Sequence, residues 1–248
     1  MASNASIFLR RALKTAAAQQ PRRLARALCC AGWTALFWPV AAVAAGAPTA
    51  PGADIDPAAT ADVRQVTAWI RASGDHRGQA FAVIDKKAAM LHVFDAAGAL
   101  RGSSPVLLGL AVGDESVPGI GERPMADIRP EERTTPAGRF ASEPGRNLQN
   151  DDIVWIDYDA AVSMHRVRAG NTADRRLQRL ATPTPADNRI SYGCVNVPAA
   201  FYDALVKPLL GNAPGVVYVL PETRPVGTMF KSASSAPPLA GRPAAEQR

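Results

Sequence analysis

Apolar residues recur with two different periods along this chain, and the change of period divides it. From Thr60 to Ala72, Val63, Val66 and Ile70 fall at helical spacing with Trp69 beside them, and Gly74 closes the run. This predicts a short helix packed on the outside of a domain. From Gln79 onward the apolar residues run continuously or alternate. Phe81–Asp85 and Met90–Asp95 predict two strands joined by Lys86-Lys87-Ala88-Ala89. Leu100 to Leu110 holds another strand with a polar middle, Ile153–Tyr158 and Val162–His165 two more, and Gly215–Leu220 a last buried one. Phe201, Leu205, Val206 and Leu209 return to helical spacing, and Pro198, suited to a first helical position, predicts a helix from there to Leu210.

The stretches between are polar. Residues 113–134 carry Pro118, Gly119, Gly121, Pro124 and Pro130, and a loop this long inside a compact domain is either functional or mobile. It runs into Thr134-Thr135-Pro136-Ala137-Gly138-Arg139-Phe140, a turn before a strand. Arg166 to Asn188 reads as an inserted lobe, with a helix start at Asn171–Asp174, a small apolar face from Leu177 and Leu180, and a stop at Pro183. Short strands outnumber helices and do not alternate with them. The expectation is a mainly β domain over residues 79–222 with a few peripheral helices, not a doubly wound parallel sheet. Residues 48–78 are expected to be linker and short helix, and 223–248, rich in Ala, Ser and Pro, a disordered tail.

Charge changes the picture at one end only. Residues 1–45 hold Arg10, Arg11, Lys14, Arg22, Arg23 and Arg26 and no acid, which leaves 22 Lys and Arg facing 22 Asp and Glu over the rest. The basic pI therefore does not point to nucleic acid. A basic stretch, an apolar run from Ala27 to Val43 and the small residues Val43-Ala44-Ala45-Gly46-Ala47 make residues 1–47 a signal peptide, with an uncleaved anchor as the alternative. The run is short for a membrane span and contains Pro39, so no stable span is expected after processing. The protein is then exported, and periplasmic in a cell with two membranes.

Export gives the cysteines their meaning. Cys29 and Cys30 would leave with the apolar run, and Cys194 remains as a lone thiol in an oxidising compartment. Such a cysteine is a reactive thiol, a link to a partner chain, or a buried inert residue. Its neighbours favour chemistry: Gly193 permits a tight turn that would leave amide N–H groups free beside the sulfur, as a nucleophile and its oxyanion donors require. His165 ends a strand, a good position for a cleft, whereas His92 lies within an apolar strand with no orienting partner in view. Arg166, Arg168, Arg175, Arg176 and Arg179 could fork onto carboxylates or form a solvated face. Three histidines and one mature cysteine show no ligand spacing, so neither a metal nor a cofactor is expected.

His165, followed by Ser191-Tyr192-Gly193-Cys194-Val195-Asn196, resembles the signature of the YkuD-type L,D-transpeptidases, in which a histidine precedes Ser/Thr-His-Gly-Cys-x-Asn/Arg. Ala82–Lys87 with Leu91–Phe94 is similar to that family's opening hairpin, and Thr135–Phe140 to its Thr-Pro-x-Gly-x-Phe element. Together these cover most of residues 79–220. The resemblance implies a β-sandwich or barrel-like fold, no cofactor, and a cysteine acyl-enzyme acting on peptidoglycan stem peptides and trapped by carbapenem-type inhibitors. It implies Cys194 as nucleophile, His165 as base and the Arg166 carbonyl as orienter of His165. Cys194 and Gly193 N–H would face the oxyanion, Tyr192 would donate to it or shape the pocket, and Ser191 and Asn196 would support the loop. Three features depart from the pattern: Tyr192 where histidine is usual, Arg166 where glycine or serine is usual, and a longer His–Cys spacing that the inserted lobe explains. The acceptor stays open among a stem peptide, another amine and water, and a wall-binding module without activity is the alternative of a different class.

Overall fold

The computed structural model describes residue 56, residues 58–168 and residues 170–230. The segment expected as a signal peptide, with Cys29 and Cys30, and the last part of the expected tail lie outside the described residues.

The chain opens with helix α1 (Ala61–Ser73), bounded as its sequence predicts. Thr60 Oγ1 accepts the Val63 N–H at 3.3 Å, and Gly74 takes the left-handed conformation that ends the helix. Strands β1 (Phe81–Asp85), β2 (Met90–Phe94) and β3 (Leu100–Pro105) follow as an antiparallel meander. The polar middle of the expected strand lies within β3, and the buried Val106 and Leu107 separate it from the two-residue β4 (Leu108–Gly109). Residues 113–134 are not featureless: they hold three 3-10 turns, Ile120–Glu122, Met125–Asp127 and Pro130–Glu132.

The nine-residue β5 (Gly138–Arg146), β6 (Asp152–Asp157) and β7 (Val162–Arg166) continue the sheet. The lobe contributes α2 (Arg176–Ala181), and the cysteine loop is flanked by β8 (Arg189–Ser191) and β9 (Val195–Val197). The following helix runs as α3 (Ala199–Phe201), a π turn over Tyr202–Val206 and α4 (Lys207–Leu210). Its first residue is Ala199. Pro198, expected at the first helical position, is extended at φ −50° and ψ 131° and caps the helix instead.

With β10 (Gly215–Val219), eight strands form one sheet in the order β3-β2-β1-β10-β5-β6-β7-β9, in which only β1·β10 and β7·β9 are parallel, while β4 and β8 pair separately. Its two ends meet: Leu107 and Asn196 exchange both backbone hydrogen bonds at 2.9 Å, so the sheet nearly closes. The domain is mainly β, as its residue pattern predicts.

The sheet buries apolar residues on both faces where β1 and β10 lie, which is why these two read as unbroken apolar runs. Ala82, Ile84, Val217 and Val219 point inward with Met164 and Val195, and Tyr202, Val206 and Leu210 cover them. Phe81, Val83, Val216 and Tyr218 point to the other side, onto Val63, Val66 and Ile70 of α1. The helix therefore packs on the outside of the sheet, as its apolar spacing predicts. The expected tail is also packed at its start, because Val226 and Phe230 are buried and Phe230 meets Trp69 and Tyr218 at 6.0 Å between ring centroids.

Lys86, although charged, is fully buried. Its Nζ donates to Asp114 Oδ1 at 2.8 Å and to Thr135 O at 3.0 Å, and Glu222 lies 3.4 Å away. Burial acts to raise the Asp114 carboxyl, but hydrogen bonds from Lys86, Thr223 and the Glu222 N–H outweigh it and hold the pKa far below the usual carboxylate range. Lys86→Ala should cost about 3–5 kcal/mol of stability by removing the buried cation that Asp114 contacts, with only Arg224, 3.9 Å away, left beside it. Lys86→Met, which refills the volume, should show a similar loss because the carboxylate still lacks its partner. Denaturant unfolding of the two variants against wild type measures both.

Candidate active site

The site arises from the parallel pairing of β7 with β9. Met164 pairs with Val195, His165 with Asn196 and Arg166 with Val197. Side chains alternate along a strand, so Met164 and Val195 enter the core together while Ser163, His165 and Asn196 share the opposite face. Cys194, just before β9, joins that face: its Sγ lies 3.7 Å from Ser163 Oγ and 3.7 Å from the Ala161 carbonyl. The sequence singled out Cys194 and His165, and the fold brings them together. Ser163 was missed, although its position two residues before His165 places it on the same face.

His165 is half-buried and oriented from behind. Its Nδ1 lies 2.8 Å from the Arg166 carbonyl, an acceptor only, so Nδ1 carries the proton and Nε2 is left for the thiol side. Burial pushes His165 down, but the interaction with the Cys194 sulfur and the bond to the Arg166 carbonyl reverse this, and its pKa is raised. Burial pushes the Cys194 thiol up, and here the hydrogen bond and charge of His165, followed by the groups of Ser163, reverse it, so the thiol pKa is lowered. Each group thus favours the charged form of the other.

The loop around the sulfur is fixed at several points. Gly193 has φ +134°, and a Cβ there would meet the Thr134 carbonyl at 2.7 Å, so no other residue fits. Its carbonyl accepts from Thr135 Oγ1 at 2.8 Å, and Thr135 is the residue whose own carbonyl Lys86 holds. Ser191 Oγ donates to the Cys194 carbonyl at 2.7 Å, and Asn196 Nδ2 reaches the same oxygen at 3.3 Å. Ser191 Oγ also accepts the Gly193 N–H at 3.1 Å. That N–H is therefore engaged, contrary to the expectation that it is free beside the sulfur.

Tyr192 packs its ring against Arg133, whose guanidinium carbon lies 3.9 Å from the ring centroid. Arg133 is held in turn by bonds from Nε and Nη2 to the Ile128 carbonyl, at 3.2 and 3.0 Å. Arg166 turns its guanidinium away from the thiol toward Asp152 and Asp203, over the ring of Tyr202. In the lobe, Arg176 Nη1 donates to Asn196 Oδ1 at 2.8 Å, a contact the residue pattern did not reveal. Leu180 is buried as expected, but Leu177 is 60% exposed and does not share its apolar face. His92, buried in β2, meets Ser103 at 2.8 Å and stands apart from the site.

Two cavities lie beside these groups. One of about 240 Å³ is lined by His165, Arg166, Asp151, Asp152 and Ala199. The other, about 300 Å³, is lined by Pro136, Ala137, Phe140 and Ala160, next to the carbonyl that the thiol contacts. Among the described residues no group of three or more His, Cys, Asp or Glu could hold a metal ion, and no helix is long and apolar enough to cross a membrane.

No protein-family model matches the sequence, and no curated protein matches it. Among solved structures, the chain is similar to an L,D-transpeptidase from Xylanimonas cellulosilytica, at 16% identity and a TM-score of 0.36, over 57% of this chain and 60% of that one. It is also similar to the helical cell shape determining protein Pgp2 from Campylobacter jejuni, at 14% identity and a TM-score of 0.38, over 64% of this chain and 56% of that one. A third, an L,D-transpeptidase from Stackebrandtia nassauensis, matches at 16% identity and a TM-score of 0.34, over 66% of each chain. The chain thus spans about three-fifths of the length of the first two structures.

The opposed shifts of Cys194 and His165 give a pH signature. Iodoacetamide alkylation of Cys194 should reach half its maximal rate below the ordinary thiol pKa of about 8.5, because the lowered pKa keeps thiolate present at lower pH. His165→Ala removes the attraction and leaves the burial, so the midpoint should move above that value. A wild-type midpoint at or above 8.5 would contradict the pairing. Gly193→Ala should cost about 1–3 kcal/mol through backbone strain and slow the alkylation as the loop shifts, which mass spectrometry and thermal unfolding would read.

Proposed function

We propose that this protein is a cysteine L,D-transpeptidase of the bacterial cell envelope that acts on peptidoglycan stem peptides. The observation that carries the reading is the thiol–imidazole pair on one face of β7 and β9, with both pKa values shifted toward the ion pair. The ordered motif from Ala82 to Asn196 supports the substrate class. The Cys194 thiolate attacks the carbonyl carbon that joins the L-centre of a diamino acid to a terminal D-residue. The C–N bond breaks, His165 gives its Nε2 proton to the departing amine, and a thioester remains on Sγ. An amine of a second stem then attacks the thioester; His165 takes its proton, the new amide forms and the thiolate returns.

The Cys194 N–H is the oxyanion donor in this scheme, since Ser191 occupies that of Gly193. Ser191 and Asn196 hold the loop through the Cys194 carbonyl, and Tyr192, braced by Arg133, forms a wall of the pocket in place of the more usual histidine. The segment 1–47 directs export and is removed, and N-terminal sequencing that starts near residues 45–48 is the expected result.

A carbapenem should add once, to Cys194, and Cys194→Ser should give no adduct in intact-mass spectrometry. Cys194→Ser and His165→Ala should each lower turnover of tetrapeptide muropeptides by at least about 100-fold. Cross-linked dimers among the products identify an amine acceptor, whereas trimmed monomers identify water and convert the assignment to a carboxypeptidase or hydrolase. A folded wild-type protein with neither adduct nor product would leave the wall-binding module as the reading.

A further inference from the structure

The face that carries Cys194 also carries a pair of aromatic rings that the chemistry above does not use. Glu143 of β5 pairs with Trp155 of β6, and Trp155 pairs with Ser163 of β7, whose Oγ lies 3.7 Å from Cys194 Sγ. Paired residues on neighbouring strands point to the same face, so Glu143, Trp155, Ser163 and Cys194 form one row across the sheet. Tyr158 lies against the indole of Trp155, at 4.9 Å between centroids and 28° between planes, although it is 58% exposed. Its hydroxyl donates to Glu143 at 3.4 Å. The indole leans on Gly145, where a Cβ would meet it at 2.4 Å, and this packing explains Trp155 but places no demand on Tyr158.

We infer that the Trp155–Tyr158 pair is a stacking platform for a pyranose ring, the sugar to which the stem peptide is attached. A hexose offers a face of C–H groups with hydroxyls at its rim, which suits an exposed aromatic ring with a carboxylate beside it. The spacing agrees. Trp155 stands two strands from Cys194, about 10 Å away. Three stem residues separate the sugar from the attacked carbonyl, and an extended chain covers about 10 Å in three residues. The inference rests on the acylation of Cys194 by a stem peptide, as proposed above, and supplies the part of the substrate that the thiol site leaves unbound.

The test compares two substrates, a disaccharide-tetrapeptide and the same tetrapeptide without sugar. Tyr158→Ala should raise KM for the sugar-bearing substrate roughly fivefold to tenfold, with kcat and all kinetics on the bare peptide unchanged. Tyr158→Phe, which keeps the ring, should behave as wild type. Equal losses on both substrates, no loss on either, or an equal loss in Tyr158→Phe would overturn the platform. Calorimetric titration of the Cys194→Ser protein with an N-acetylhexosamine disaccharide separates this idea from the chemistry. Binding that Tyr158→Ala abolishes supports the platform even if wild type turns over neither substrate, and absence of binding under that condition removes it.

Discussion

The register between β7 and β9 is the constraint on which the site depends. Met164 and Val195 lie side by side in the core, and each contributes about 1.5–3 kcal/mol by leaving water. A slip of β9 by one residue would expose Val195 and turn Cys194 and Asn196 inward, away from His165, which β6 holds in place through β7, so the core that stabilises the domain also decides where the thiol and imidazole stand. The contacts behind the loop defend the same register. Leu107 pairs with Asn196, Thr135 holds the Gly193 carbonyl, and Lys86 holds the Thr135 carbonyl from a fully buried position. A chain of hydrogen bonds therefore runs from the opening hairpin to the cysteine loop.

Burial and pairing oppose each other at the sulfur, and pairing prevails. In apolar surroundings alone the thiol would stay protonated and inert; beside an imidazole whose Nδ1 is committed to a backbone carbonyl, the ionised form is favoured. Arg166 contributes through its carbonyl, while Asp152 and Asp203 keep its guanidinium from competing for the thiolate. This accounts for a bulky cation being tolerated next to the histidine.

Local pattern made the strands that lie between two apolar layers legible, because both of their faces are buried and their sequences are unbroken apolar runs. The boundaries of α1 were legible from Thr60 and Gly74 for the same local reason. What escaped depends on distant partners. A lysine reads as a solvated residue, and only Asp114 and Glu222, remote in sequence, make Lys86 a core group. The packing of Val226 and Phe230 depends on a helix some 160 residues earlier in the chain, so an Ala- and Pro-rich terminus concealed it. Cys194 and His165 were legible as residue types in order, but the row from Glu143 to Cys194 exists only once the strand pairing is known. The engaged N–H of Gly193 likewise follows from where the Ser191 side chain turns, which spacing cannot tell.

The lobe between His165 and Cys194 follows from the same geometry. Parallel neighbours cannot be joined by a tight hairpin, so β7 and β9 require a long connection whatever its use. Here that connection returns Arg176 to Asn196, which shares with Ser191 the task of holding the Cys194 carbonyl. Two donors on that oxygen fix the peptide plane after the cysteine, while Thr135 fixes the plane before it through the Gly193 carbonyl. The Cys194 N–H belongs to that second plane. Its direction is therefore set by Thr135, in the turn before β5, whereas the sulfur's partner comes from β7. The Cys194 N–H and its sulfur are positioned from two separate parts of the chain, and the lobe, by holding the loop between them, keeps the two in one geometry.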